Sequence, residues 1–196
     1  MKRIITLISL LAFMAVSTVS YAADAGSVPQ KKQTKLGLYM TAAETMNHIK
    51  ANGDKTLFVD VRSRAEVNFL GTPTVIDANV PYMELSEWYT WNEKKKHFNL
   101  DVNSSFAKGI EDRLRGKGLS KEDTIILMCR SGSRSAKAAN LLADLGYKNV
   151  ISVIDGYEGD KAKNGKHKGQ RVVNGWKNNG LPWSYSLDKT KMYVQK

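Results

Sequence analysis

Thr124-Ile125-Ile126-Leu127-Met128-Cys129-Arg130-Ser131-Gly132-Ser133-Arg134-Ser135 reads as a strand that turns into a helix. Thr124 to Met128 is an apolar run of strand length, and from Ser133 onward Ala138, Leu141, Leu142 and Leu145 recur at helical spacing. The single cysteine of the chain therefore stands at the turn between them. A helix N-terminus offers unpaired N–H groups and the positive end of its dipole, and Arg130 and Arg134 add positive charge, so the position suits an anionic sulfur. Gly132 lets the turn take a positive φ and aim its amides inward. A cysteine followed by two arginines, a glycine and serines fits a core poorly, and a nucleophile is expected.

Outward from this stretch, helices and strands alternate. Thr41 with Glu44 predicts a capping box, Ala42, Met46 and Ile49 share a helical face, and Asn52-Gly53 ends the helix. Thr56 to Val61 predicts a short buried strand. Phe106, Ile110 and Leu114 mark a helix with Arg113, Arg115 and Lys117 at its C-terminal end, where cations suit the dipole. The helix after Cys129 is expected to end at Gly146, and Asn149 to Ile154 to form another strand. The pattern predicts an α/β fold, a central parallel β-sheet with helices on both faces. In such sheets the ligand sits outside the carboxyl ends of the strands, where Cys129 and the turn Asp60-Val61-Arg62 both fall.

Lys2 and Arg3 precede an apolar run from Ile4 to Val16, and Ser20-Tyr21-Ala22 places small residues at −3 and −1 of a cleavage site. Residues 1–22 are therefore expected to be a secretory signal peptide, with export to the periplasm and no stable membrane anchor. Residues 23–40 are polar and read as a flexible leader, 41–185 as one domain and 186–196 as a C-terminal tail. Removing residues 1–22 takes the formal charge from +11 to +9. In an exported protein that charge points to small anions or anionic surfaces rather than nucleic acid. One cysteine excludes an internal disulfide and an internal resolving thiol, so whatever Cys129 picks up must pass to another molecule.

The loop Cys129 to Arg134 resembles the active-site loop of rhodanese-type sulfurtransferases. So do Phe58-Val59-Asp60-Val61-Arg62-Ser63-Arg64-Ala65-Glu66-Val67, Ala78-Asn79-Val80-Pro81-Tyr82 and Gly175-Trp176-Lys177-Asn178-Asn179-Gly180-Leu181-Pro182-Trp183, in that order along the chain. The resemblance implies a rhodanese-like domain in which Cys129 takes sulfane sulfur from thiosulfate or a similar anionic donor as a persulfide and passes it to cyanide, a thiol or a protein acceptor. It also implies substrate binding by Arg130, Ser131, Gly132, Ser133, Arg134, Ser135 and Arg62, a structural role for Asp60, no cofactor, and a monomer. One departure is the stretch Gly71-Thr72-Pro73, where the family usually shows Gly-His-Ile.

Two other readings share these residues. One is a cysteine phosphatase or arsenate reductase on the same fold, but such phosphatases use Cys-x5-Arg, whereas Cys129 to Arg134 is Cys-x4-Arg and encloses something nearer one sulfur atom. The other is a persulfide-carrying redox-partner module with little turnover alone.

Elsewhere, Arg64 reads as a partner of Glu66 and other acids. Trp88, Tyr89 and Trp91 in the segment 84–102 suit either a pocket wall or docking surface, or packing beneath a loop. The lysines of 158–174 read as a solvated loop. His48, His97 and His167 lack metal-ligand spacing and read as surface histidines, so no metal is expected.

Overall fold

The apolar runs Thr56–Asp60 and Thr124–Met128 lie side by side in register, with Leu57 opposite Ile125 and Val59 opposite Leu127. They form the centre of a five-stranded parallel sheet in the computed structural model, which describes residues 25–194. In chain order the strands are β1 (Tyr39–Met40), β2 (Thr56–Asp60), β3 (Ala78–Asn79), β4 (Thr124–Met128) and β5 (Val150–Val153). In space the order is β1-β5-β4-β2-β3. Among the described residues the α-helices are α1 (Ala42–Asn52), α2 (Arg64–Leu70), α3 (Phe106–Gly116) and α4 (Ser133–Asp144). The α/β class is as the alternation predicts.

Alternate residues of the central strands feed two cores, as the two-residue period of a strand requires. Leu57, Val59, Ile125 and Leu127 pack with Phe106, Ile110 and Leu114 of α3 and Ala138, Ala139 and Leu142 of α4. On the other face Phe58, Ile126 and Met128 pack with Ala42, Met46 and Ile49 of α1 and with Trp176. The expected helix faces of α1 and α3 are the buried ones. The Thr41–Glu44 capping box is present, and a second, Ser63–Glu66, starts α2. In α4 the apolar spacing overreaches by one residue, because the helix ends at Asp144 and Leu145 is 45% exposed.

Both ends of the described chain pack on the domain. The signal peptide expected over residues 1–22 falls outside the described residues. From Val28 onward the segment read as a flexible leader is folded against the domain: Val28 and Lys32 are buried, and Lys32 Nζ pairs with Asp160 at 2.8 Å. Its polarity hid this, because its contacts are made by a lysine and by backbone groups, as in Lys35 N–H donating to Asn140 Oδ1. The C-terminal tail runs along the β3 side, where Asn79 N–H donates to Lys191 O and Arg113 donates to the carbonyls of Thr190 and Met192. Among the described residues no helix is long and apolar enough to cross a membrane.

The segment 84–102 folds as paired short strands, Met83–Leu85 with Leu100–Val102 and Trp91–Asn92 with His97–Phe98. Trp88, Tyr89 and Trp91 are exposed, which corrects the alternative that packs them beneath a loop.

Candidate active site

β4 ends at Met128 and α4 begins at Ser133, so the four residues between are stretched across the carboxyl edge of the sheet. Gly132 supplies the reversal at φ 95°. A side chain there would also run into the carbonyl of Ile154, so two independent constraints call for glycine. The loop is held from the other side by the turn after β5. Tyr157 N–H donates to Cys129 O at 2.8 Å and Glu158 N–H to Arg130 O at 3.0 Å. Gly156, at φ 65°, lets that turn approach closely: a methyl group on it would lie 2.5 Å from Cys129 O and 2.6 Å from Ser131 N.

The turn after β5 is tied down in its turn. The Asp155 carboxylate accepts from Ala42 N–H at 2.8 Å and Gly175 N–H at 3.0 Å, and burial pushes its pKa up against these bonds. Trp176 N–H donates to Gly156 O, and the Trp176 ring packs on Phe58. The closing motif thus acts on the site through the loop's support rather than by touching it.

Cys129 is 1% exposed and forms the floor of a cavity of about 490 Å3. Its Sγ accepts from Gly132 N–H at 3.2 Å, and the thiol donates to Ser135 Oγ at 3.5 Å. The Ser135 hydroxyl donates to Gly132 O at 3.0 Å and accepts from Ser152 Oγ at 2.9 Å. A hydroxyl rotates freely, so on loss of the thiol proton Ser135 can turn its hydrogen from Gly132 O to the sulfur. Ser152, on β5, was invisible to motif reading, since its link to Cys129 exists only through sheet pairing.

Arg130, Ser131, Ser133 and Arg134 line the same cavity, whereas Gly132 and Ser135, expected beside them, are buried and do not. The arginines are not free charges. Arg134 lies in a bidentate pair with Glu66, at 2.6 Å to Oε2 and 2.5 Å to Oε1, and Arg130 pairs with Glu158. Burial alone would raise the Glu66 pKa, but the hydrogen bonds and charge of Arg134 hold it down at about 2. Glu66 accepts at the same time from Ser63 N–H, so one carboxylate caps α2 and fixes Arg134.

Arg62 is the clearest correction. It was expected to bind substrate, yet it is fully buried and does not line the cavity. Its guanidinium pairs with Asp60 at 2.6 Å, donates to Gly71 O and stacks over Tyr157 at 3.8 Å. Asp60 also accepts from Arg62 N–H and Thr72 Oγ1, so it orders this turn as expected. Position after a strand end gave the right neighbourhood but not the side chain's direction. Arg64 pairs with Glu84 rather than Glu66.

Leu85, His97, Phe98 and Leu100, from the paired strands of 84–102, form the opposite wall. His97 is therefore a pocket residue, and the named aromatics Trp88, Tyr89 and Trp91 are not. His48, read as a surface residue, is buried with Nε2 2.9 Å from Thr56 Oγ1. Among the described residues no cluster of His, Cys, Asp and Glu could hold a metal ion.

The arrangement is a buried thiol held by a backbone amide, with a hydroxyl beside it and a cavity above it lined by both apolar side chains and arginines. The family model described as rhodanese-like domain matches residues 41–163. An uncharacterised protein of Rickettsia rickettsii is 33% identical over 134 residues, covering 68% of this chain and 87% of that protein. Another, from Rickettsia prowazekii, is 34% identical over 133 residues, covering 67% and 85%. Among solved structures, the crystal structure of Rv0390 from M. tuberculosis superposes with a TM-score of 0.56 at 26% identity, over 76% of this chain and 97% of that one. The loop that carries Cys129, the parallel sheet beneath it and these likenesses agree, and the chain belongs to the rhodanese-like domain family.

Proposed function

We propose that this protein is an exported sulfurtransferase that carries sulfane sulfur on Cys129. The observation that carries the reading is the seat of the sulfur: a buried thiol at the floor of an open cavity, accepting an amide hydrogen from its own loop at 3.2 Å. Such a seat stabilises negative charge on a buried sulfur, where a preorganised donor is worth more than in bulk water.

The Cys129 thiolate attacks the outer sulfur of thiosulfate. A Cys129 S–S bond forms, the donor's S–S bond breaks, and its electron pair leaves with sulfite. Cyanide or a thiolate then attacks the terminal persulfide sulfur and restores the Cys129 thiolate as the leaving group. Two half-reactions sharing one covalent intermediate give ping-pong kinetics. The Gly132 amide and the Ser135 hydroxyl hold the sulfur through both. The Cys-x4-Arg loop favours a single sulfur atom over a four-oxygen phosphate, and the Arg134–Glu66 pair leaves Arg134 poorly placed to clamp a phosphate.

Steady-state rates with thiosulfate and cyanide test this. Parallel double-reciprocal lines and a complete loss in Cys129→Ser, with unchanged melting, are expected. Retained activity in that variant, or faster turnover of an aryl phosphate by the unmodified protein, would refute it.

A further inference from the structure

Three guanidinium groups line the Cys129 cavity, those of Arg130, Arg134 and Arg171. Arg134 and Arg130 are committed to Glu66 and Glu158. Arg171 is differently placed. It comes from the 158–174 segment, where it bridges to Lys161 in an antiparallel contact. Its Nη1 donates to the Gly159 carbonyl at 2.5 Å, and its Nε is buried with no hydrogen-bond partner among the described residues. The two carboxylates that act on it through charge, Glu158 and Asp160, are themselves in ion pairs with Arg130 and Lys32. Arg171 thus brings to the cavity a positive charge that, among the described residues, no carboxylate takes up in a direct pair, and that an anion entering the cavity can answer.

Two further observations point the same way. Burial, and then the charge of Arg130, push the Arg171 pKa down, so this guanidinium is a cation in a partly buried, positively charged setting that a bound anion would relieve. Arg171 also lines a second groove, of about 810 Å3, beside Ser131, together with Lys31, Lys161 and Lys163. Anions drawn into that basic groove meet Arg171 at the border of the Cys129 cavity.

We infer that Arg171 is the anion-binding residue of this pocket, holding the oxyanion end of the sulfur donor while its sulfane sulfur meets Cys129. The inference rests on the sulfur-transfer reading for the identity of the donor, and on geometry alone for the anion site. It assigns to the 158–174 segment, read from sequence as solvated loop, the specificity for anionic donors.

The test compares the full chain with Arg171→Gln and Arg171→Lys. Arg171→Gln should lower kcat/KM for thiosulfate roughly 10- to 100-fold, the usual worth of a charged hydrogen bond, while leaving kcat/KM for a neutral thiol acceptor, 2-mercaptoethanol, near that of the parent. Arg171→Lys should fall between them. A second readout needs no turnover: sulfate should slow alkylation of Cys129 by neutral iodoacetamide in the parent protein, and this protection should vanish in Arg171→Gln. Should that variant fold poorly, seen as faster alkylation without sulfate, Arg171→Lys carries the comparison and should show weakened protection. Equal losses in both half-reactions, or protection unchanged by either substitution, would overturn the inference. A parent protein that transfers no sulfur but is protected by sulfate through Arg171 would refute the sulfur-transfer reading and leave the anion site standing.

Discussion

Glu66 does the work of two residues, and its chemistry has a measurable consequence. Its pKa lies at about 2 against an ordinary 4.5, so the folded state binds fewer protons than the unfolded one between these values. The pair with Arg134 therefore contributes stability above about pH 4.5, and that contribution is lost as pH falls through the folded value; a shift of this size is worth about 3 kcal/mol. Melting measured from neutral pH down to about 2 should show Glu66→Gln destabilised by a similar amount at neutral pH and converging on the parent in acid. Parallel curves would contradict this. The sequence named Cys129 and its loop because a reactive loop is contiguous: its thiol, amides and arginines are neighbours in the chain. It misdirected Arg62 and passed over Glu66, Ser152 and Arg171, because a side chain's partner depends on which elements the fold brings together. Arg62 and Arg134 carry the same charge near one edge of the sheet, yet one is sunk beside Asp60 and the other is fixed beside the cavity.

The element that decides the site is the pair of turns after β4 and β5, pressed together. Gly156 makes that approach possible, and the φ and the close contact both forbid a side chain there. Gly156→Ala should cost about 1–3 kcal/mol of stability and displace the Cys129 loop, lowering kcat more than it raises KM. Thermal melting together with steady-state rates would report it, and parent-like values in both would show that the turns have slack. Helices α1 and α3 and strands β2 and β4 were legible because their apolar periods match their geometry over enough residues. Helix α2 was not read as such: seven residues, Arg64–Leu70, give a period too little length, and only its capping box Ser63–Glu66 announces it. The paired strands of 84–102 were equally obscure, since their aromatics face outward and leave no buried alternation to read.

At the scale of the whole molecule, segments remote in sequence close around one cavity: the β4–α4 loop as floor, the 84–102 strands as one wall, and the start of α2 with Arg171 of the 158–174 segment completing the lining. The N-terminal segment and the C-terminal tail brace this assembly through Lys32–Asp160 and the Arg113 bonds to Thr190 and Met192. Polar sequence hid both, because ion pairs and backbone bonds leave no hydrophobic signature. The architecture converges on the buried thiol of Cys129, and in the proposed function this sulfur carries another. Intact mass of the protein after incubation with thiosulfate and removal of small molecules tests it most directly. A gain of one sulfur atom is expected, reversed by cyanide and absent from Cys129→Ser; an unchanged mass in the parent protein, or the same gain in Cys129→Ser, would contradict sulfur transfer through Cys129.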